Sequence, residues 1–313
     1  MKLMLIVLVF LCSILITGCS VQSWAIKKVS NGLASGDPTV YTSDDDPVLI
    51  GDALPFTMKF YETILSKDSL NDKLLLATGK LFCLYSQGYI LFPSDTLNDT
   101  LEQKKIAAKR AKKLFLRGRN YILKGLDVRH SGFLSLLNST TADSALKMTS
   151  IKDTEYLYWA AMAWMGAISS DRGDFGLGMT MKKALSLVNK VRSLDSTYGS
   201  GALDEFYGIY YSSAPKSLGG DTAAARVHIT RAIELSGNTR SSVFVTAANF
   251  AAQKSKNHDE FVNMLERALL IDLNQHKENR LSNAIYQHRA KWMLEHADRY
   301  FSQEEMRNVD SRQ

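Results

Sequence analysis

An all-α solenoid assembled from helix pairs is the fold this sequence predicts, and three observations predict it. Apolar residues recur at helical steps: within 156–168, Leu157, Ala160, Ala161, Trp164 and Ile168 fall three and four residues apart. Proline, which ends or kinks a helix, is scarce, with five residues in all and none between positions 94 and 214. Three segments also end alike: Val188, Val191, Leu194 and Asp195; then Ile229, Ala232, Leu235 and Ser236; then Leu265, Ala268, Ile271 and Asp272. Their endings are offset by 41 and then 36 residues, and each follows another helical segment, at 154–169, 202–213 and 242–254. Strand-like alternation with hairpin turns is nearly absent. Phe244-Val245 has β propensity, but Ala247, Ala248, Ala251 and Ala252 follow it and the helical reading prevails. Hydrophobic residues at 45% and charged residues at 22% exclude a disordered chain.

In order along the chain, residues 1–18 read as a signal peptide. Lys2 supplies a basic start, and Leu3 to Ile16 is an apolar run broken by Ser13. Fourteen residues fall short of the roughly 20 that span a bilayer. Gly18 followed by Cys19 resembles a bacterial lipobox, so Cys19 is the expected lipidation site; an ordinary secretory signal ending beside a chance cysteine is the alternative. Ser20, rather than Asp, leans toward the outer membrane. A mature lipoprotein carries more than one acyl chain, enough for stable anchoring. Cys12 would leave with the signal, so Cys83 alone remains free, no intrachain disulfide is available, and Cys83 reads as small core filler. Residues 19–42 are polar and read as a tether, with a reach of roughly 80 Å if fully extended.

The folded domain is expected over 43–313. Asp46 is a good helix N-cap and Pro47 a good first helical residue. A loosely spaced first pair joins helix 70–91 to helix 104–126, on which Ala107, Ala111, Leu114, Phe115, Gly118, Tyr121, Ile122 and Gly125 share a face. The three later pairs follow the helix–turn–helix grammar of a tetratricopeptide repeat (TPR), giving about four degenerate repeats. Tyr207, Gly208 and Tyr211 fit its first helix, as do Phe244, Ala247, Ala248 and Ala251. Extra length falls in the turns Ser170–Thr180 and Pro215–Gly220. The last helix, about 280–299, reads as a cap whose polar face is Arg289, Lys291, Glu295, His296 and Arg299.

Catalytic motifs are absent: the sequence holds no GxxxxGK[ST], GxSxG or HExxH. One mature-chain cysteine excludes cysteine-based zinc sites, and His288 and His296, two helical turns apart, are too distant for one metal. No enzyme, cofactor or metal is expected. Two patterns remain as binding candidates. Lys104, Lys105, Lys109, Arg110, Lys112, Lys113, Arg117 and Arg119 crowd one helix with no acid among them, while the rest of the mature chain is net acidic. Their edge, with Arg110, Arg117 and Arg119, is a candidate protein or phospholipid contact or else a solvated face; nucleic acid is not an expected partner for an exported chain. Trp159, Trp164, Tyr207 and Tyr211 lie on two successive first helices and are candidates for a concave ligand or partner groove, with core packing as the alternative.

More specific segments stand in a fixed order: Ser43-Asp-Asp-Asp-Pro47 with Gly51-Asp-Ala-Leu-Pro55, Leu74-Leu-Leu-Ala-Thr78, 111–119, Tyr158-Trp159 with Ala163-Trp164, Leu218-Gly-Gly-Asp221 and Ala232–Gly237. Together, from about Ser43 to Phe301, they resemble the T component of TRAP (tripartite ATP-independent periplasmic) transporters, a TPR-containing lipoprotein family. The resemblance implies an all-α fold displayed in the periplasm, partnership with the transporter's periplasmic solute-binding protein, self-association into a trimer, and an apolar or organic-acid ligand. It implies no catalysis, and beyond Cys19 it transfers no functional residue. A general TPR scaffold for envelope assembly is the competing reading, and a hydrolase hidden in a helical fold the third.

Overall fold

The computed structural model describes residues 24–33, 39–96, 100–139 and 142–307. The expected signal peptide, Cys19 and parts of the expected tether lie outside them. Among the described residues there is no strand.

A first helix, α1, covers 24–33, and a single turn follows at Thr39–Thr42. The stretch expected to be an extended tether is therefore helical where it is described. The Asn71 side-chain amide donates to Ser30 Oγ and to Asn31 Oδ1, both at 2.9 Å, and Leu33 packs beside Tyr61, Leu65, Leu74 and Leu75. Asp46 caps α2 (Pro47–Leu65) as expected, accepting from the amides of Val48 and Leu49 at 2.9 and 3.0 Å.

Next come α3 (Asp72–Tyr85) and α4 (Leu101–Arg129), which pack along each other. A π-helical stretch, Ser86–Leu91, and a short helix, Phe92–Thr96, prolong α3. The whole segment Asp72–Asp95 is long and apolar enough to cross a membrane, but half of its apolar window is buried against the rest of the protein. Thr100 and Gln103 form a reciprocal capping box that starts α4, explaining why so charged a helix has a sharp beginning. Two glycines set the α3–α4 distance. A Cβ on Gly79 would meet Ile122 Cγ1 at 2.3 Å, and one on Gly118 would meet the Gly79 carbonyl oxygen at 2.8 Å. Short helices α5 (Phe133–Asn138) and α6 (Ala142–Lys147) bury Phe133, Leu137 and Ala145 against this pair.

The remaining pairs stack in sequence: α7 (Thr154–Ser170) with α8 (Met181–Leu194), α9 (Ala202–Ser213) with α10 (Thr222–Ser236), and α11 (Ser241–Phe250) with α12 (His258–Leu269). These are the pairs the periodicity predicts. Small residues allow close approach: a Cβ on Gly201, whose φ is +90°, would sit 2.5 Å from the Ala232 carbonyl oxygen. Buried side chains from α3 through α9 form one continuous core, and α10 to α13 carry a second.

The last long helix, α13 (Arg280–Glu295), differs from the expected cap. It packs on α11 and α12 and also touches Thr39–Thr42, α2 and Phe92–Thr96. Arg280 pairs with Asp45 at 2.7 Å and Arg289 with Asp95 at 3.1 Å, while Tyr286 meets the Phe92 ring edge-on at 5.1 Å. The row of helix pairs is thus closed on itself, its C-terminal helix lying against its N-terminal elements.

Candidate functional site

The four aromatic residues singled out in the sequence do not converge. Trp164 is 4% exposed; its indole N–H donates to Thr180 Oγ1 at 2.7 Å, and the Arg119 guanidinium stacks on its ring at 4.6 Å. Tyr207 is 3% exposed and donates to Asn189 Oδ1 at 2.6 Å. Its ring stacks on His228 at 5.0 Å and on Tyr211 at 6.1 Å. Tyr211, half-buried, stacks on the same imidazole at 5.5 Å. These three side chains face second helices, α8 and α10. Trp159 turns the other way, toward Lys80 on α3 and the Tyr158 ring. Five residues separate the two tryptophans, which on a helix is about 140° of rotation.

A second cluster is built by side chains from successive first helices and α13. Lys80 on α3 pairs with Glu155 on α7 at 2.5 Å. One turn on, Tyr158 meets Trp159 edge-on and Tyr198 at 5.0 Å, and its hydroxyl donates to the Ala202 carbonyl at the start of α9. Glu205, also on α9, is nearly fully buried. It accepts from Arg240 Nη2 at 2.6 Å, Ser242 Oγ at 3.0 Å and Thr246 Oγ1 at 3.1 Å. Tyr286 on α13 approaches the same Glu205–Arg240 pair and the Tyr158 phenol. Burial, reinforced by the Glu205 carboxylate, pushes the Tyr286 phenol well above its ordinary range, and burial does the same to Tyr158. Both phenols stay protonated beside a matched guanidinium–carboxylate pair, and the Tyr158 hydroxyl is already spent on the Ala202 carbonyl. The cluster offers aromatic surface whose neighbouring charges are matched within the chain. Sequence reasoning missed Tyr158, Glu205, Arg240 and Tyr286 as a group. The available signal was a carboxylate and an arginine at the starts of two successive first helices.

Two open depressions are present, the second of them lined in part by Arg240. One, about 220 Å³, sits between α10, α11 and α12, with an apolar floor of Ile229, Ile233, Phe250 and Met264 and with Arg226 and Arg267 at its rim. The other, about 440 Å³, is more polar and exposes Arg240 beside Gly199, Ser200 and His276. Neither is lined by Trp159, Trp164, Tyr207 or Tyr211.

The basic edge also has internal partners. Arg117 pairs with Glu62, and Arg119 spends its guanidinium on Trp164 and the Asn120 side chain. Arg110 is exposed and its guanidinium lies over the Tyr85 ring at 5.8 Å. Lys112 holds Asp171 at 2.8 Å and Asp174 at 2.6 Å. Cys83 is buried, and desolvation pushes its thiol far above the ordinary range, so it is inert filler. Among the described residues no group of three His, Cys, Asp or Glu side chains is placed to hold a metal ion.

Comparison with known proteins fits this picture. A relative from Treponema pallidum (strain Nichols), itself described as an uncharacterized protein, is 28% identical over 312 residues, covering 93% of this chain and 96% of its own length. The family model for the TRAP transporter T-component matches residues 43–301, from the acidic cap of α2 to just past the closing helix α13, and the chain belongs to that family.

Proposed function

We propose that this chain is a lipid-anchored, periplasm-facing accessory component of a TRAP-type solute uptake system, held through Cys19. It binds the system's periplasmic solute-binding protein and contacts an apolar or organic-acid ligand at the aromatic cluster. The observation that carries the reading is the family match across nearly the whole helical body. The cluster supports the ligand class. Tyr158, Trp159, Tyr198 and Tyr286 offer an aromatic wall with protonated hydroxyls, while Arg240 is already paired with Glu205, so this face favours the apolar ligand. Trp164 and Tyr207 serve the fold that holds this wall, with Tyr211 stacked beside them. Family membership places the chain among accessory components of TRAP transport. Self-association into a trimer belongs to the same reading, and sedimentation velocity of the full chain checks it.

Calorimetric titration of the full chain with the solute-binding protein of the same organism's TRAP system tests the proposal. Saturable binding supports it. Absence of binding, together with capture of envelope-assembly proteins alone, would replace it with the scaffold reading.

A further inference from the structure

The N-terminal half of α4 leaves a charged, apolar-edged face without a partner. Leu101, Lys105, Lys109 and Lys113 follow one another at four-residue steps, and Lys112 shares their sector, seven residues past Lys105. Leu101 and Ile106, at the edges of this sector, are 71% and 59% exposed. Among the described residues no carboxylate pairs with Lys105, Lys109 or Lys113.

Beside this face stands a second exposed apolar element. Lys112 clamps Asp171 and Asp174, and Asp174 in turn accepts from the Leu177 amide at 2.9 Å. Thr180 closes the same turn by donating to the Leu177 carbonyl while receiving the Trp164 indole N–H. The turn is therefore pinned, yet it presents Phe175 and Met179 at 82% and 84% exposure. A pinned loop that holds a phenylalanine and a methionine in water, next to uncompensated lysines, has the composition of an interaction surface.

Geometry decides the kind of partner. Helix α1, the described element nearest to Cys19 in sequence, docks on Asn71. The neighbouring Asp72 is paired with Arg129 at the C-terminal end of α4. Five residues join Cys19 to Trp24, a reach of about 17 Å. The 29-residue α4 is about 43 Å long, which puts the lysine face about 30 Å away from the anchored end. A bilayer that meets the α1 end, with α4 standing away from it, does not reach that face, whereas the positive charge and exposed apolar residues of the face match a soluble protein with an acidic surface.

We propose that the face formed by Lys105, Lys109 and Lys113 with Phe175 and Met179 docks an acidic surface of the periplasmic solute-binding protein. This rests on the transport reading above and assigns that partner to one edge of the molecule. The test is titration of that receptor into the full chain reconstituted in neutral-lipid nanodiscs. Parallel titrations use K105E/K109E, F175S/M179S, and nanodiscs containing phosphatidylglycerol. The expected result is that each double variant weakens binding at least about tenfold with its helical circular dichroism unchanged. Added salt should weaken the wild type and F175S/M179S but have little effect on K105E/K109E. Wild-type binding that both variants retain would overturn the docking face and leave the transport reading standing. No wild-type binding would overturn both. Competition by phosphatidylglycerol, or a changed oligomeric state of K105E/K109E alone, would give the face to a bilayer or to a second copy and so overturn the proposal.

Discussion

Trp164 joins three elements through one side chain: its own α7, the Arg119 guanidinium on α4 and the Thr180 hydroxyl before α8. Trp164→Ala is expected to cost about 3–5 kcal/mol, and Trp164→Phe, which keeps the ring burial, about 1 kcal/mol for the lost hydrogen bond; urea midpoints check both. Asp153 plays the corresponding role among charges. Burial raises the pKa of its carboxyl, but the Ser150 amide and the Arg129 guanidinium more than offset this and hold it below the usual carboxylate range. Asp72, bonded to Arg129 and Tyr156, and Glu62, bonded to Lys59 and Tyr121, are lowered in the same way. A depressed folded pKa gives stability that is complete above the unfolded value, about 4, and is lost as pH falls through the lower folded values. Unfolding free energy should therefore decline on acidification below about pH 4, and Asp153→Asn should flatten that decline while costing about 3 kcal/mol at neutral pH. Cys83 should resist thiol reagents until the chain is unfolded in urea, because its buried thiol stays protonated. The burial of Cys83 was legible in the sequence, from the apolar run that contains it, although Leu84 of that run is exposed. For Trp164 core packing stood beside the groove reading, and its partners Arg119 and Thr180 were not legible, since apolar spacing says which face is greasy and not which neighbour covers it.

Between elements, the α3–α4 crossing and the α13 closure dominate. Gly79 and Gly118 let two backbones approach until each glycine touches the other's carbonyl region. Gly79→Ala has backbone oxygen and Ile122 in its way, so the helices must part; a loss of about 1–3 kcal/mol is expected, measurable by thermal unfolding. Gly118 was visible in advance as part of an apolar face, but its Gly79 partner was not. Helix α13 makes the opposite case. Its arginines look like a solvated face in one dimension, yet Arg280 and Arg289 reach Asp45 and Asp95, more than 190 residues earlier in the chain. Removing both with Arg280→Ala and Arg289→Ala should raise amide exchange at the start of α2 and in Phe92–Thr96, leaving α7 to α10 protected.

For the molecule as a whole, the arrangement separates tasks along α4. One end gathers α1 and the part-buried Asp72–Arg129–Asp153 network, and the other carries lysines and a pinned apolar turn. Helix 24–33 shortens the reach from Cys19 from the roughly 80 Å of an extended tether to about 17 Å, so an anchored chain would stay close to its membrane. Disulfide cross-linking of a 24–33 residue to the α2–α3 turn is expected to form readily and to leave helical circular dichroism unchanged, because the two already touch through Asn71.

What the sequence determined by itself was the local and periodic part. Helix pairs, the cap at Asp46, the absence of catalytic signatures and the concentration of positive charge on α4 all follow from spacing within a few turns. The tertiary structure alone decided which aromatics pack against second helices and which turn away, which carboxylates and rings the arginines meet, and that the last helix closes the row rather than ending it. The physical reason is range. Capping and amphipathic period act over three to seven residues, whereas Glu205 with Arg240, Arg119 with Trp164 and Arg289 with Asp95 are matched across the chain by burial and charge pairing, which leave no periodic trace.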